Sequence, residues 1–68
     1  MVIEAGTVVA FDRDVGLGEV EFRSGDRLLF HTTAIADGTR DIRVGQVVSC
    51  QVRPIGLGTV EVAELVKV

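Results

Sequence analysis

Two side chains in this sequence could form a nucleophile and its general base: Cys50 and His31, the single cysteine and the single histidine. Such a pair needs the imidazole within hydrogen-bond reach of the thiol. Both residues fall in stretches typical of β-strands, and strand alternation directs Cys50 into the core and His31 away from it. The sequence therefore predicts no Cys–His dyad and no enzyme.

A second chemical feature is the glycine pair in "VGLGEVEF", Gly16 and Gly18. A dinucleotide-binding loop would need a third glycine and a helix directly after the pair, and the sequence has neither. Glycine is also used where a barrel strand bends sharply and approaches its neighbour closely, and we assign this structural role to the pair. No cluster of cysteine and histidine forms a metal motif, so we expect neither a metal nor another cofactor.

The composition predicts one small β domain over residues 1–68. Hydrophobic residues make up 47% of the 68 residues, and many are valines, which favour a pleated, half-buried surface. A chain of this size buries too little surface for a second domain or a deep cleft. The lone cysteine, the lack of an export signal and the short apolar runs predict a cytoplasmic protein without membrane association.

The charge balance gives weak guidance about partners. Ten acidic residues against seven basic ones give a net charge of −3 at pH 7, whereas a phosphate-rich partner usually selects a basic surface. The arginines are spread along the chain, so any basic patch has to be assembled by folding.

Alternation of apolar and polar residues predicts five strands. In the second and third strands Val20, Phe22, Leu28 and Phe30 form the inward set, and a tight Ser-Gly-Asp turn joins these strands. In the fourth strand Val48, Cys50 and Val52 point inward. The predicted strands span residues 1–11, 17–23, 27–31, 46–53 and 57–68.

The stretch between the third and fourth predicted strands is long and polar. It indicates one helical turn around residues 32–35 and two core residues, Ile35 and Ile42. Pro54 is expected to end the fourth strand, because a proline cannot donate to a central ladder. A change of phase at residues 63–65 predicts a β-bulge that turns Leu65 inward.

Five short strands and one long link favour a small, closed, antiparallel Greek-key barrel of the OB type. A sheet of this size has to close or cover its edges. An SH3-like barrel has a similar number of strands and is the alternative. The position of the long link, after the third strand, favours the OB-fold.

The residue order in "TVVAFDRDVGLGEVEF", "DRLLFHTTAI" and "VGQVVSCQV" resembles the bacterial cold-shock protein family across nearly the whole chain. The family pattern is K-V-K-W-F-N, K-G-F-G-F-I, D-V-F-V-H-F-S-A-I and E-G-Q-x-V-S-F. The first three blocks are spaced as in this chain, which then has one residue fewer after Ile35 and about one more near Pro54. The resemblance implies a five-stranded OB barrel that binds single-stranded RNA or DNA through aromatic side chains on the second and third strands.

This chain departs from the family at most of those aromatic positions, although Phe11 and His31 are kept. The substituted positions are Ala10 for tryptophan, Leu17, Glu19, Leu29 and Thr32 for phenylalanine, and Val15 for lysine. A leucine can contact a base but lacks the flat polarisable ring that stacks on it. A glutamate at this surface repels phosphate. We therefore expect weakened binding of nucleic acid.

The leading hypothesis is thus a non-catalytic, cold-shock-like domain that binds single-stranded RNA or DNA. The sequence favours a core position for Phe11, and it favours a solvated turn charge for Arg13, which lies between Asp12 and Asp14. The expected nucleic-acid-binding residues are Phe11, Leu17, Leu29 and His31, with Arg13, Arg27 and Arg53 as phosphate contacts.

The alternative hypothesis is a protein-interaction module. In this reading the same surface, which is now apolar and acidic, meets a basic protein partner. The residues that carry it are Val9, Leu17, Glu19, Glu21 and Leu29.

Overall fold

The computed structural model describes residues 2–68, which form one five-stranded antiparallel sheet and one turn of 3₁₀ helix. The predicted all-β architecture is therefore confirmed, as is the helical turn after the third strand. The elements are β1 (Val2–Asp12), β2 (Leu17–Phe22), β3 (Arg27–His31), the 3₁₀ helix (Thr32–Ala34), β4 (Val47–Gly56) and β5 (Thr59–Lys67).

The strand order in the sheet is β3-β2-β1-β4-β5. Strands β1 to β3 form a meander, and β4 returns through the long link to pair with β1, which is the strand order of a Greek key. Strands β3 and β5 are the edges, and no ladder joins them within residues 2–68. The link holds β5 nearby: Ile35 forms an isolated bridge with Leu65, and the N–H of Ala36 donates to the Leu65 carbonyl over 2.8 Å.

One face of the sheet carries the core, in agreement with the alternation in the sequence. Ile35 and Ile42 are buried and add to the core from the link, as predicted. Burying a valine, leucine or phenylalanine side chain contributes about 1.5–3 kcal/mol, so this set supplies most of the driving force for folding. The most deeply buried side chains are Val8, Val20, Phe30, Val48, Cys50 and Leu65.

The ring of Phe30 lies directly against the backbone of Gly18. A Cβ atom built on Gly18 would overlap this ring and would lie 3.0 Å from the carbonyl oxygen of Ala10. Gly16 has a different role, because its φ of +79° lies in the left-handed region that favours glycine. The predicted close approach to a neighbouring strand is confirmed at Gly18, whereas Gly16 lies in the turn before β2 and not at a bend within a strand.

Strand β1 contains a β-bulge that the alternation did not predict. Val8 pairs with Val20 and Ala10 pairs with Glu19, so Val9 is an extra residue in β1. Beyond the bulge the side chains change sides. Ala10 therefore faces outward, and Phe11 faces the core.

The predicted bulge in β5 is confirmed. Gln51 pairs with Glu64 and Val52 pairs with Val62, which leaves Ala63 as the extra residue. Leu65, which follows the bulge, is fully buried as expected.

The prediction that Pro54 ends the fourth strand is wrong. Strand β4 continues to Gly56, and Pro54 lies opposite Val60 on β5. Within residues 2–68, the pairing of β1 with β4 extends to Val52, and Pro54 has only β5 as a ladder partner. A proline is tolerated in such an edge segment.

The long link is attached to the end of β5 through Asp37. The Asp37 carboxylate accepts hydrogen bonds from the backbone N–H and the hydroxyl of Thr39 and pairs with Lys67 at 3.0 Å. These hydrogen bonds and, to a smaller extent, the lysine lower the pKa of Asp37 to about 2.

Residues 2–68 contain no helix that is both long enough and apolar enough to cross a membrane.

We predict that Gly18→Ala lowers the free energy of unfolding by about 1–3 kcal/mol, because the new methyl group displaces the buried Phe30 ring. Gly56→Ala is the matched control, since a Cβ there would meet only the Thr59 hydroxyl at 3.3 Å. Urea denaturation measures both. Equal stability of the two variants would contradict the close approach of β2 to Phe30.

Candidate nucleic-acid interface

The surface of β1, β2 and β3 opposite the core holds most of the residues selected from the sequence. Directly opposed residues in an antiparallel sheet share a face, so the strand registers define three rows across these strands. We call these nine residues the outer face. The rows are Asp12, Leu17 and His31; Ala10, Glu19 and Leu29; and Thr7, Glu21 and Arg27.

The apolar part of the outer face lies at one end of β2 and β3. Leu17 is opposite His31, and Leu29, which is 65% exposed, is two residues before His31 on β3. Leu17 and Leu29 line a shallow groove of about 280 Å³. Three of the predicted binding residues are therefore brought together, and they offer one imidazole and two aliphatic side chains to a ligand.

The structure places Phe11 mainly with the core. Its ring stacks on that of Phe30, with a centroid distance of 6.5 Å and an interplanar angle of 6°. The ring is half-buried, and part of it lines the groove beside Leu17 and Leu29. One face of Phe11 is thus already covered by Phe30, so this residue supports the groove from below.

The three arginines predicted to contact phosphate are each paired with a carboxylate. Arg13 lies 2.6 Å from Asp41 in the link, and not against its sequence neighbours Asp12 and Asp14. This hydrogen bond raises the pKa of Arg13 and lowers the pKa of Asp41. Arg13 thus lines a polar cavity of about 440 Å³ together with Gly16, which directly precedes Leu17 of the outer face.

Arg27 lies between the two glutamates of the outer face. Its Nε donates to Glu21 over 2.9 Å, and one terminal nitrogen lies 3.5 Å from Glu19. The hydrogen bond to Glu21 is the main cause of the raised pKa of Arg27. The outer face carries three carboxylates, with that of Asp12 included, against this one guanidinium. A negative surface of this kind repels a phosphate backbone.

Arg53 approaches the outer face from β4. It lines a cavity of about 210 Å³ between the edge strands, together with Leu29 and His31. Its Nε donates to Glu61 on β5 over 2.7 Å. The fold therefore brings Arg53 beside residues that lie more than twenty positions earlier in the chain.

Sequence reasoning missed the partners of these arginines, Asp41 and Glu61. The register of the β2–β3 hairpin, which places Glu21 opposite Arg27, could have been derived from its tight turn. The partners of Arg13 and Arg53 depend on the course of the link and on a bulged strand pair. The remaining arginines, which have no carboxylate partner within residues 2–68, are Arg23, Arg40 and Arg43.

Cys50 and His31 lie on opposite sides of the sheet, as the alternation predicted. Cys50 is fully buried in the core, and His31 is exposed on the outer face. Burial, with a smaller effect of Glu4, raises the pKa of the Cys50 thiol to about 11. The thiol is therefore protonated and inaccessible at neutral pH, which makes it a core side chain.

Comparison with models of known protein families finds no match to this chain, and a search of curated proteins finds none either. The resemblance to the cold-shock family accordingly depends on the residue pattern.

We predict that the buried thiol makes the folded state less stable at high pH. The pKa of Cys50 is about 11 in the folded protein, against 9.0 for a free thiol. As the pH rises, the unfolded chain loses this proton before the folded protein does. The thiol's contribution to the free energy of unfolding is therefore complete below pH 9 and is lost as the pH rises toward 11, by up to about 1.4 kcal/mol per pH unit.

Urea denaturation at pH 7 and at pH 10.5 measures this loss. Cys50→Ala is the control, because it retains every other group that titrates in this range. A decrease of the same size in Cys50→Ala would contradict the assignment to the thiol.

Proposed function

We propose that this chain is a single-stranded nucleic-acid-binding domain of the cold-shock type. It covers unpaired RNA or DNA with low affinity, disfavours base pairing and catalyses no reaction. The observation that supports this proposal best is the meeting of Leu17, Leu29 and His31 on one exposed face. These residues occupy positions at which the resemblance places base-contacting side chains.

The strand arrangement supports an OB barrel as the scaffold. The sheet has the strand order β3-β2-β1-β4-β5 and a long link between β3 and β4, and an OB-fold combines a Greek-key order with such a link. The edge strands β3 and β5 approach each other, and Ile35 bridges the space between them through Leu65. In this proposal the sheet closes along this seam, and closure protects both edges from pairing with other chains.

In this proposal a base packs on Leu17 and Leu29 and stacks on the His31 imidazole. An aromatic platform contributes about 1–3 kcal/mol for each stacked base, and this face has one exposed ring in place of several. The phosphates pass Arg13, Arg27 and Arg53, whose charges are partly compensated by carboxylates. The domain consequently binds short, unpaired segments weakly and with little dependence on base sequence.

A second candidate function, docking of a basic protein segment, is favoured by the charge of the outer face. Glu19 lies opposite Leu29, and Glu21 follows on the same face. Carboxylates interleaved with the exposed Leu29 and the half-buried Leu17 suit a partner that presents lysine or arginine beside apolar side chains. The geometry supports this second function through charge, and it supports the first through the position of His31.

Binding of a labelled seven-nucleotide oligo-dT, measured by fluorescence anisotropy at 50 and 200 mM salt, tests the nucleic-acid function. We expect Leu29→Ala and His31→Ala to weaken binding about three- to tenfold, because each removes a surface that contacts a base. Val66→Ala is the control, since Val66 is exposed on β5, outside the outer face. No binding by the wild type at 50 mM salt and high micromolar protein would contradict the proposal.

A gain-of-binding variant tests the location of the site. Glu19→Phe removes a repulsive charge and restores a ring at the centre of the outer face, so we expect tighter binding of the same oligonucleotide. Val66→Phe adds a ring elsewhere and is the control. If the two variants bind equally, the outer face is not the site; tight binding of an arginine-rich peptide that Glu19→Gln abolishes would favour protein docking.

A further inference from the structure

Two arginines beside the apolar part of the outer face have the same local structure. Glu21 and Arg27 are directly opposite each other on β2 and β3, and their side chains meet at 2.9 Å. Arg53 and Glu61 are directly opposite on β4 and β5 and meet at 2.7 Å. In each pair the strand register fixes the carboxylate beside the guanidinium before any ligand arrives.

These two pairs flank the residues that would contact a base. Arg27 is two residues before Leu29 on the same face of β3. Arg53 lies across the cavity that it shares with Leu29 and His31. A nucleic-acid strand with a base on this part of the outer face therefore passes a guanidinium on either side. Each guanidinium already forms an ion pair with a carboxylate.

We propose that Glu21 and Glu61 are internal competitors for the phosphates of the ligand, and that they determine how tightly the outer face binds. This inference rests on the proposed function. A phosphate reaches Arg53 only by displacing Glu61. It reaches Arg27 by displacing Glu21, the nearer of the two glutamates beside that guanidinium, while Glu19 lies 3.5 Å away. The affinity of the domain is thus limited by its own acidic residues as well as by the loss of aromatic rings.

The competition has a measurable thermodynamic signature. When a protein cation neutralises a phosphate of a single strand, counterions are released, and log K falls with log salt by about 0.7 per contact. A guanidinium that exchanges one carboxylate for a phosphate leaves the displaced carboxylate in need of a counterion, so its net contribution to this slope is small. Removing the competing charge restores both the contact and its salt dependence.

The test compares Glu21→Gln, Glu61→Gln and the double variant with Glu64→Gln. Glu64 is exposed on β5 and has no ion pair within residues 2–68, so its substitution changes the net charge equally without releasing an arginine. We expect each of the first two variants to bind oligo-dT about two- to fivefold more tightly than the control at 50 mM salt. The salt slope should steepen by about 0.7 for Glu61→Gln. It should steepen by less for Glu21→Gln, because Glu19 still lies 3.5 Å from Arg27.

Arg27→Ala isolates the mechanism. In the wild type it should change oligo-dT affinity by less than twofold, whereas in the Glu21→Gln background it should remove the whole gain. An equal loss in both backgrounds would overturn the proposal, as would identical affinity and slope for Glu21→Gln and Glu64→Gln. Thermal unfolding of each variant verifies that it is folded.

Elution from immobilised heparin separates this inference from the proposed function. Heparin presents sulfate groups, so it reports release of the arginines whether or not the domain binds nucleic acid. If no variant binds oligo-dT, the nucleic-acid function fails, and the competition is judged on heparin alone. Elution of Glu21→Gln and Glu61→Gln at higher salt than Glu64→Gln supports the competition, and co-elution of all three overturns it.

Discussion

The contact between the Phe30 ring and the bare backbone of Gly18 is the constraint on which the rest of this structure depends. It requires Gly18 to face the core, and the alternation of β2 then directs Leu17 and Glu19 outward. The ring of Phe11 stacks on that of Phe30 and anchors β1 to the same cluster. The register that follows from this packing places Leu17 opposite His31 and Glu19 opposite Leu29. The core thereby determines the chemistry of the outer face.

Much of the fold could be predicted, because valine-rich alternation identifies strands and their buried side chains. The glycine pair, the helical turn and the bulge before Leu65 also have local signals. The bulge at Val9 has none: both Val9 and Phe11 suit either face, and only packing against Phe30 decides between them. The prediction for Pro54 was wrong because a strand tolerates proline where it pairs on one side only. How far the β1–β4 ladder extends along β4 is a property of the whole sheet.

In the candidate site, too, some features could be predicted from local sequence and others depend on tertiary structure. Leu17, Leu29 and His31 follow from strand alternation within one hairpin, and their meeting was predictable. The state of the arginines was not, because Arg53 and Arg13 find their partners through tertiary structure. The result is a surface that carries two leucines and one imidazole at one end and more carboxylates than guanidinium groups. Arg27 and Arg53 are each paired with the glutamate directly opposite on the neighbouring strand.

The most direct test of the account is amide NMR of the isotopically labelled protein during titration with a seven-nucleotide oligo-dT at low salt. If the outer face binds single strands, the largest shift changes will fall on Leu17, Leu29 and His31, with smaller ones at Arg53. The core amides around Val48 will remain in place. The absence of any shift at saturating oligonucleotide, or shifts confined to the tip of the β4–β5 hairpin, would contradict the account.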